Sequence, residues 1–147
     1  MSQAVLRTVV IALSSALMLA ASTLSVYAID TNNRYFAYGL GQRSCDDYLK
    51  FRDRKLDSLE QQHPRFSKDE LYDIVNRIVE QWIAGFLTAH NLYVSDTYNV
   101  AGKVTMDDIK ARLDTACRAN TKDYFAPAMI SVMEQLNPQR VTAESGK

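Results

Sequence analysis

Between Ser67 and Tyr93 the chain reads SKDELYDIVNRIVEQWIAGFLTAHNLY, and the spacing of its apolar residues leaves few folds open. Leu71, Ile74, Val75, Ile78, Val79, Trp82, Ile83, Phe86, Ala89, His90 and Tyr93 recur at i, i+3, i+4, i+7 for about six turns, the period of one helix face. Lys68, Asp69, Asp73, Arg77, Glu80 and Gln81 supply a face that water can solvate. Ser67 and Glu70 form an S-x-x-E capping box, so the helix start is written locally. Gly85 costs roughly 1 kcal/mol of helicity against Ala. A glycine there predicts that another backbone, or the Trp82 ring, needs the space. The helix is expected to be the central post of a small helical protein.

The rest of the chain follows the same logic. Ser44, with Asp47 three residues on, opens a first helix carrying Cys45, Tyr48, Leu49, Arg52, Leu56 and Leu59 at helical spacing. It is expected to run to about Gln61 and to end before His63-Pro64. Thr105 and Asp108 open a third helix, whose inner stripe is Met106, Ile109, Leu113, Ala116 and Cys117. Asn120 and Asp123 suggest the start of a fourth, with Phe125, Ala128, Met129, Val132, Met133 and Leu136 as its apolar face. Pro127 is tolerable there because it falls near the first turn. No segment alternates with a period of two. The expected fold class is therefore all-α, a single-domain bundle of about four helices over residues 44–137.

The ends read differently. Residues 29–43 form an N-terminal arm, expected to pack Tyr35, Phe36 or Leu40 on the core before a turn marked by Gly39 and Gly41. Residues 138–147 have little to bury and are expected to be a disordered tail. Residues 1–28 have the order of a secretory signal: Arg7, an apolar stretch around Val9 to Ala20, then small polar residues leading to Val26-Tyr27-Ala28. Small residues three before and one before the cut place cleavage after Ala28, and periplasmic export is the expectation. The uncharged run Thr8–Ile29 is 22 residues long, which is also enough for a retained anchor.

Cleavage leaves 119 residues, enough for one domain with a small core. Without Arg7 the chain keeps 16 basic residues against 17 acidic ones, a balance that gives no case for nucleic acid or an acidic membrane surface. No second apolar run is long enough to span a membrane. Cys45 and Cys117 both survive cleavage, and two cysteines in an exported chain most simply form one disulfide. Closing a loop with ends 72 positions apart is worth about 4 kcal/mol by loop entropy. Cys45 sits at the inner N-terminal end of its helix and Cys117 at the inner C-terminal end of its own. There is no C-x-x-C, C-x-x-C-H or His pair, so neither a metal nor a cofactor is expected.

Catalysis has little support. The carboxylate pairs Asp46-Asp47 and Asp107-Asp108 each fall in a first turn, where negative charge meets the helix dipole and caps free N–H groups. Nothing brings Ser44, His90 and Cys117 together as a nucleophilic site. The chain is read as a non-enzyme that binds other proteins. Its candidate partner-binding residues are Trp82, Gly85, Phe86, His90, Asn91, Tyr93 and Tyr98, because glycine, histidine and aromatics there exceed what a plain core stripe requires. Core packing accounts more cheaply for Trp82, Phe86 and Tyr93, a hydrogen-bonded position at a helix end accounts for His90, and Asn91 is expected to terminate the helix.

Three stretches carry a resemblance: Ser44-Cys45-Asp46-Asp47-Tyr48-Leu49, then Gly85-Phe86-Leu87-Thr88-Ala89-His90-Asn91, then Val104-Thr105-Met106-Asp107-Asp108-Ile109 running to Ala116-Cys117. With the signal segment and the cysteine pair, they make the chain resemble the HdeA/HdeB-like small periplasmic helical proteins over residues 44–136. It is also similar to the Tai-type immunity proteins, which inhibit cell-wall amidase effectors. The first resemblance implies a stress chaperone that is a homodimer at neutral pH and dissociates in acid to coat unfolding clients. With every carboxylate protonated and both histidines charged, the mature chain would carry about +18, and self-repulsion would favour opening. The second implies an inhibitor of an envelope-acting effector, and an accessory role in an envelope or secretion assembly is a third expectation. The link between the first and central helices is longer than in the acid chaperones, and the arm and tail are additional.

Overall fold

A computed structural model describes residues 35–142. The expected signal segment at 1–28, the start of the expected arm at 29–34 and the end of the expected tail at 143–147 lie outside the described residues. From Ala37 onward the chain forms one compact unit. Its helices are α1 (Cys45–Arg52), α2 (Asp57–Gln62), α3 (Lys68–Tyr93), α4 (Met106–Ala119) and α5 (Phe125–Leu136), with short 3-10 turns at Gly39–Gln42 and Asn137–Gln139. Among the described residues there is no strand. Two isolated antiparallel bridges, Ser44 with Tyr124 and Asn99 with Val141, stand in their place. The fold is all-α with one disulfide.

The capping chemistry written in the sequence is made. Ser67 Oγ accepts from Glu70 N while Glu70 accepts from Ser67 N, and Thr105 and Asp108 repeat the reciprocal pair at α4. Each satisfies N–H groups that the first helical turn leaves without partners. α1 is capped twice. Ser44 Oγ accepts from Asp47 N, and the backbone carbonyls of Asp123 and Thr121 accept from Cys45 N and Asp46 N. The turn before α5 therefore closes the start of α1, and Phe125 N donates back to Arg43 O. Asn120 ends α4 and Asp123 lies in that turn, so α5 begins only at Phe125.

The first helix does not run through to Gln61. It stops at Arg52, and Arg54 takes φ +57 in the left-handed region. Lys55 N reaches back to Lys50 O and closes the α1 end. The gain that offsets a positive φ at a non-glycine is visible in the side chain. Arg54 lies 4.1 Å over the Tyr72 ring and pairs with Asp69 at 2.7 Å, while Leu56 becomes buried. Phe51 stacks on Tyr72 from α1, so the break fastens α1 against the start of α3.

The centre of the molecule is α5, not the long helix. Seven of its 12 residues are buried, against three of 26 in α3. Phe125, at its start, meets the Tyr48 ring edge-on at 4.9 Å and the Trp82 ring at 5.2 Å. The disulfide Cys45–Cys117 joins the start of α1 to the end of α4 with both sulfurs fully buried and Cα atoms 4.9 Å apart. Leu40 packs against this core, whereas Tyr35, Phe36 and Tyr38 are exposed. The tail expected from residue 138 begins with order. After the Asn137–Gln139 turn, Val141 exchanges backbone hydrogen bonds with Asn99 and accepts from Tyr98 N.

Ion pairs tie the helices together at their rims. Arg52 donates two-pronged to Asp114, holding α1 on α4, and Arg118 reaches Asp53. Lys68 pairs with Asp57 between α2 and α3. Lys110, whose side chain is only 7% exposed, meets Glu80 Oε1 at 2.6 Å and Asp107 at 2.9 Å, and so fixes α4 to α3. Burial alone would lower the Lys110 pKa, but the hydrogen bonds it donates to Glu80 and Asp107 outweigh it and hold the pKa above its ordinary value.

Candidate functional site

The second half of α3 has two unlike sides. On the inner side Ile83 is fully buried, and Trp82 stacks on Phe86 with ring centres 5.3 Å apart. Trp82 Nε1 donates to Tyr38 O at 3.0 Å, which ties the arm to the helix. Asn91 does more than end the helix: its Oδ1 accepts from Val100 N at 2.8 Å and pins the following loop, burying Val100. His90 is half-buried with Nε2 out of reach of water and without a hydrogen-bond partner. Burial first, and the nearby Arg140 charge second, lower its pKa below the ordinary histidine value.

On the outer side the helix is bare. Ile78 is 52% exposed, Leu92 73% and Tyr93 87%, and Gln81, Ala84, Gly85, Thr88 and Ala89 are exposed between them. From Gln81 to Ser95 the chain contains no Asp, Glu, Lys or Arg. Exposed helix faces are ordinarily charged, and a run of exposed apolar side chains is a feature of binding surfaces. The space around Gly85 is open: a Cβ added there would meet nothing within 4 Å. The expectation that Gly85 makes room for a backbone or for the Trp82 ring within the chain is therefore wrong. That demand falls on Gly41, where a Cβ would lie 2.7 Å from Trp82 Cζ2 and 2.8 Å from Ala37 Cβ.

The candidate residues thus divide. Trp82, Phe86, His90 and Asn91 face the body of the protein and build it, while Gly85 and Tyr93 lie on the outer face. Tyr98 is 67% exposed on the loop that follows. Helical periodicity puts Ile78 and Ala89 on the inner stripe, whereas both are exposed, as are Ala84, Thr88 and Leu92, which the periodicity does not mark. The uncharged run from Gln81 to Ser95 is the signal that identifies all of these except Ile78.

The first-turn carboxylates are engaged structurally. Asp46 pairs with Lys50, Asp107 with Lys110, and Asp108 caps α4. Among the described residues no cluster of three His, Cys, Asp or Glu is placed to hold a metal ion. No helix among them is long and apolar enough to cross a membrane. An open recess of about 470 Å³ lies beside α4, lined by Lys103, Asp108, Arg112, Thr115 and Gln139 among others, and none of the candidate residues reaches it. Compared with protein-family models, curated proteins and solved structures, the chain has no match.

Proposed function

We propose that this chain is an exported, non-enzymatic protein-binding domain that engages other polypeptides through the outer face of α3. The observation that carries the reading is the exposure of Leu92 and Tyr93, with Gln81, Ala84, Gly85, Thr88 and Ala89, on a helix stretch without an Asp, Glu, Lys or Arg, extended by exposed Ile78 before it. Within that class, a stress chaperone of the HdeA-like kind is the first reading. The rim ion pairs favour it, because every one depends on a carboxylate. Protonation removes the Glu80, Asp53 and Asp57 ends of the bridges that join α3 to α4, the end of α1 to α4 and α2 to α3. The buried disulfide would survive and keep the loosened chain from unravelling. More of the inner apolar surface would then join the face already exposed.

The test is light scattering from an unrelated client protein that aggregates in acid, with and without this protein, at pH 3 and at neutral pH. Suppression of client aggregation in acid is expected. Failure to protect any client, together with tight binding to one folded envelope effector at neutral pH, would replace the chaperone reading with an inhibitor.

A further inference from the structure

Beside α4 the chain builds a surface of a different kind. Asp108, Ala111, Arg112 and Thr115 stand at i, i+3, i+4 and i+7, so they share one face of that helix. Lys103 and Val104 from the preceding loop and Gln139 from the 3-10 turn wall that face and complete the open recess of about 470 Å³. Backbone contacts fix the walls. Gly102 takes φ +57, and a Cβ there would lie 2.5 Å from Gln139 O, so loop and turn meet main chain to main chain. Asn99 fastens both: its Nδ2 donates to Gly102 O, and its backbone exchanges hydrogen bonds with Val141.

The cations of this recess have no partner. Among the described residues seven lysines and arginines, from Lys50 to Arg118, pair with a carboxylate of the chain. Lys103 and Arg112 form neither an ion pair nor a hydrogen bond there, although both line one recess. Asp108 does not neutralise them. Its Oδ2 accepts from Thr105 N and Thr105 Oγ1, and those bonds chiefly lower its pKa, with the Arg112 charge adding least. Asp108 Oδ1 is left as an acceptor. So is Thr115 Oγ1, which donates its own proton to Ala111 O at 3.0 Å. Two cations thus lie beside two acceptors, with only a small alanine side chain between Asp108 and Thr115.

We propose that the recess is a second binding site, which takes an acidic segment of a polypeptide in extended form. One Asp or Glu side chain sits between Lys103 and Arg112, whose planar guanidinium matches a carboxylate. Backbone N–H groups of the same segment donate to Asp108 Oδ1 and Thr115 Oγ1. From Asp108 to Thr115 is about 10 Å along the helix, the length of about three extended residues. The acceptors decide between anions. Phosphate would bring up to two negative charges and no N–H donor to the Asp108 carboxylate, whereas an acidic peptide brings one charge per side chain together with donors. The site goes beyond the outer face of α3 and does not depend on it.

Amide NMR shifts of the mature protein, disulfide intact, at neutral pH and low salt test the site. The probe is an N-acetylated, C-amidated pentapeptide of alternating alanine and glutamate. Its glutamine counterpart, succinate and inorganic phosphate are the controls. The glutamate peptide should shift Lys103, Arg112, Thr115 and Gln139, with a Kd on the order of 0.1–1 mM. Each control should bind at least tenfold more weakly. Arg112→Gln should weaken the glutamate peptide about tenfold and Lys103→Gln about threefold, while Arg112→Lys loses less than Arg112→Gln. Lys103 is exposed, so its variant keeps the test open if Arg112→Gln disturbs the fold, which circular dichroism reports. Leu92→Ala should bind the peptide as the wild type does. Glutamine peptide, succinate or phosphate binding as tightly as the glutamate peptide would overturn the proposal. So would a wild-type recess unshifted at about 10 mM peptide, folded Lys103 and Arg112 variants that bind undiminished, or a loss at Leu92→Ala matching that at Arg112→Gln. Failure to protect clients in acid, with the peptide titration as expected, ends only the chaperone reading.

Discussion

α3 and α5 carry similarly patterned apolar residues, yet they occupy opposite situations. α5 buries seven of 12 residues and is surrounded, whereas α3 buries three of 26 and leaves one face to solvent. Amphipathic periodicity is a statement about a helix alone. What surrounds it depends on neighbours, and here the shorter helix received them because the turn before it caps α1 while Phe125 meets Tyr48 and Trp82. Length and regularity marked the wrong helix as the post.

The same substitution should therefore have unequal effects at the two sites. Leu136 on α5 is fully buried, and Leu136→Ala should destabilise the protein by about 3 kcal/mol through lost transfer energy and a residual cavity. Leu92→Ala, on the bare face, should change stability by less than about 0.5 kcal/mol. Urea denaturation of the two variants measures the difference, and comparable losses would mean that the face is not bare in solution.

Two glycines sharpen the contrast by changing sign. Gly41→Ala forces a Cβ against Trp82 and Ala37, and overpacking of that kind should cost about 2 kcal/mol. Gly85→Ala meets open space in a helix interior and should stabilise the monomer in dilute solution by about 1 kcal/mol. Thermal melts at low protein concentration report both signs.

Acid gives the smallest effect per residue and acts on the rims of the body. The Lys110 and Asn76 hydrogen bonds lower the Glu80 pKa, Arg118 lowers that of Asp53, and Lys68 that of Asp57. Such depressed carboxylates contribute stability above their unfolded pKa values and lose it as pH falls through the folded ones, below roughly pH 4. His90 acts earlier. Its folded pKa is lowered, so between that value and about 6.5 the unfolded chain binds more protons and falling pH weakens the fold. Stability against urea should decline first in that histidine window and again below pH 4. A curve flat from neutral pH to pH 3 would contradict the assignment.

What could be read from the sequence was local. The capping boxes at Ser67 and Thr105 need only residues three apart, and with two cysteines only one intramolecular disulfide can be written. The break at Arg54 was hidden because Leu56 and Leu59 continue the helical spacing of Cys45, Tyr48 and Leu49 across it. Lys110 reads as an ordinary surface lysine, since its partners Asn76 and Glu80 are 34 and 30 residues away. In the candidate site the residue types were legible but their sides were not. α3 is apolar around most of its circumference after Glu80, so periodicity alone could not decide whether Ala89 or His90 faced inward. Charge supplied the missing information, because the stretch without it includes most of the bare face.

The most direct test of that face compares Leu92→Arg with the wild-type protein for client protection in acid, alongside its melting temperature at neutral pH. An unchanged melting temperature with protection reduced severalfold is expected if α3 docks polypeptides on its outer side. Undiminished protection by a fully folded Leu92→Arg protein would contradict it.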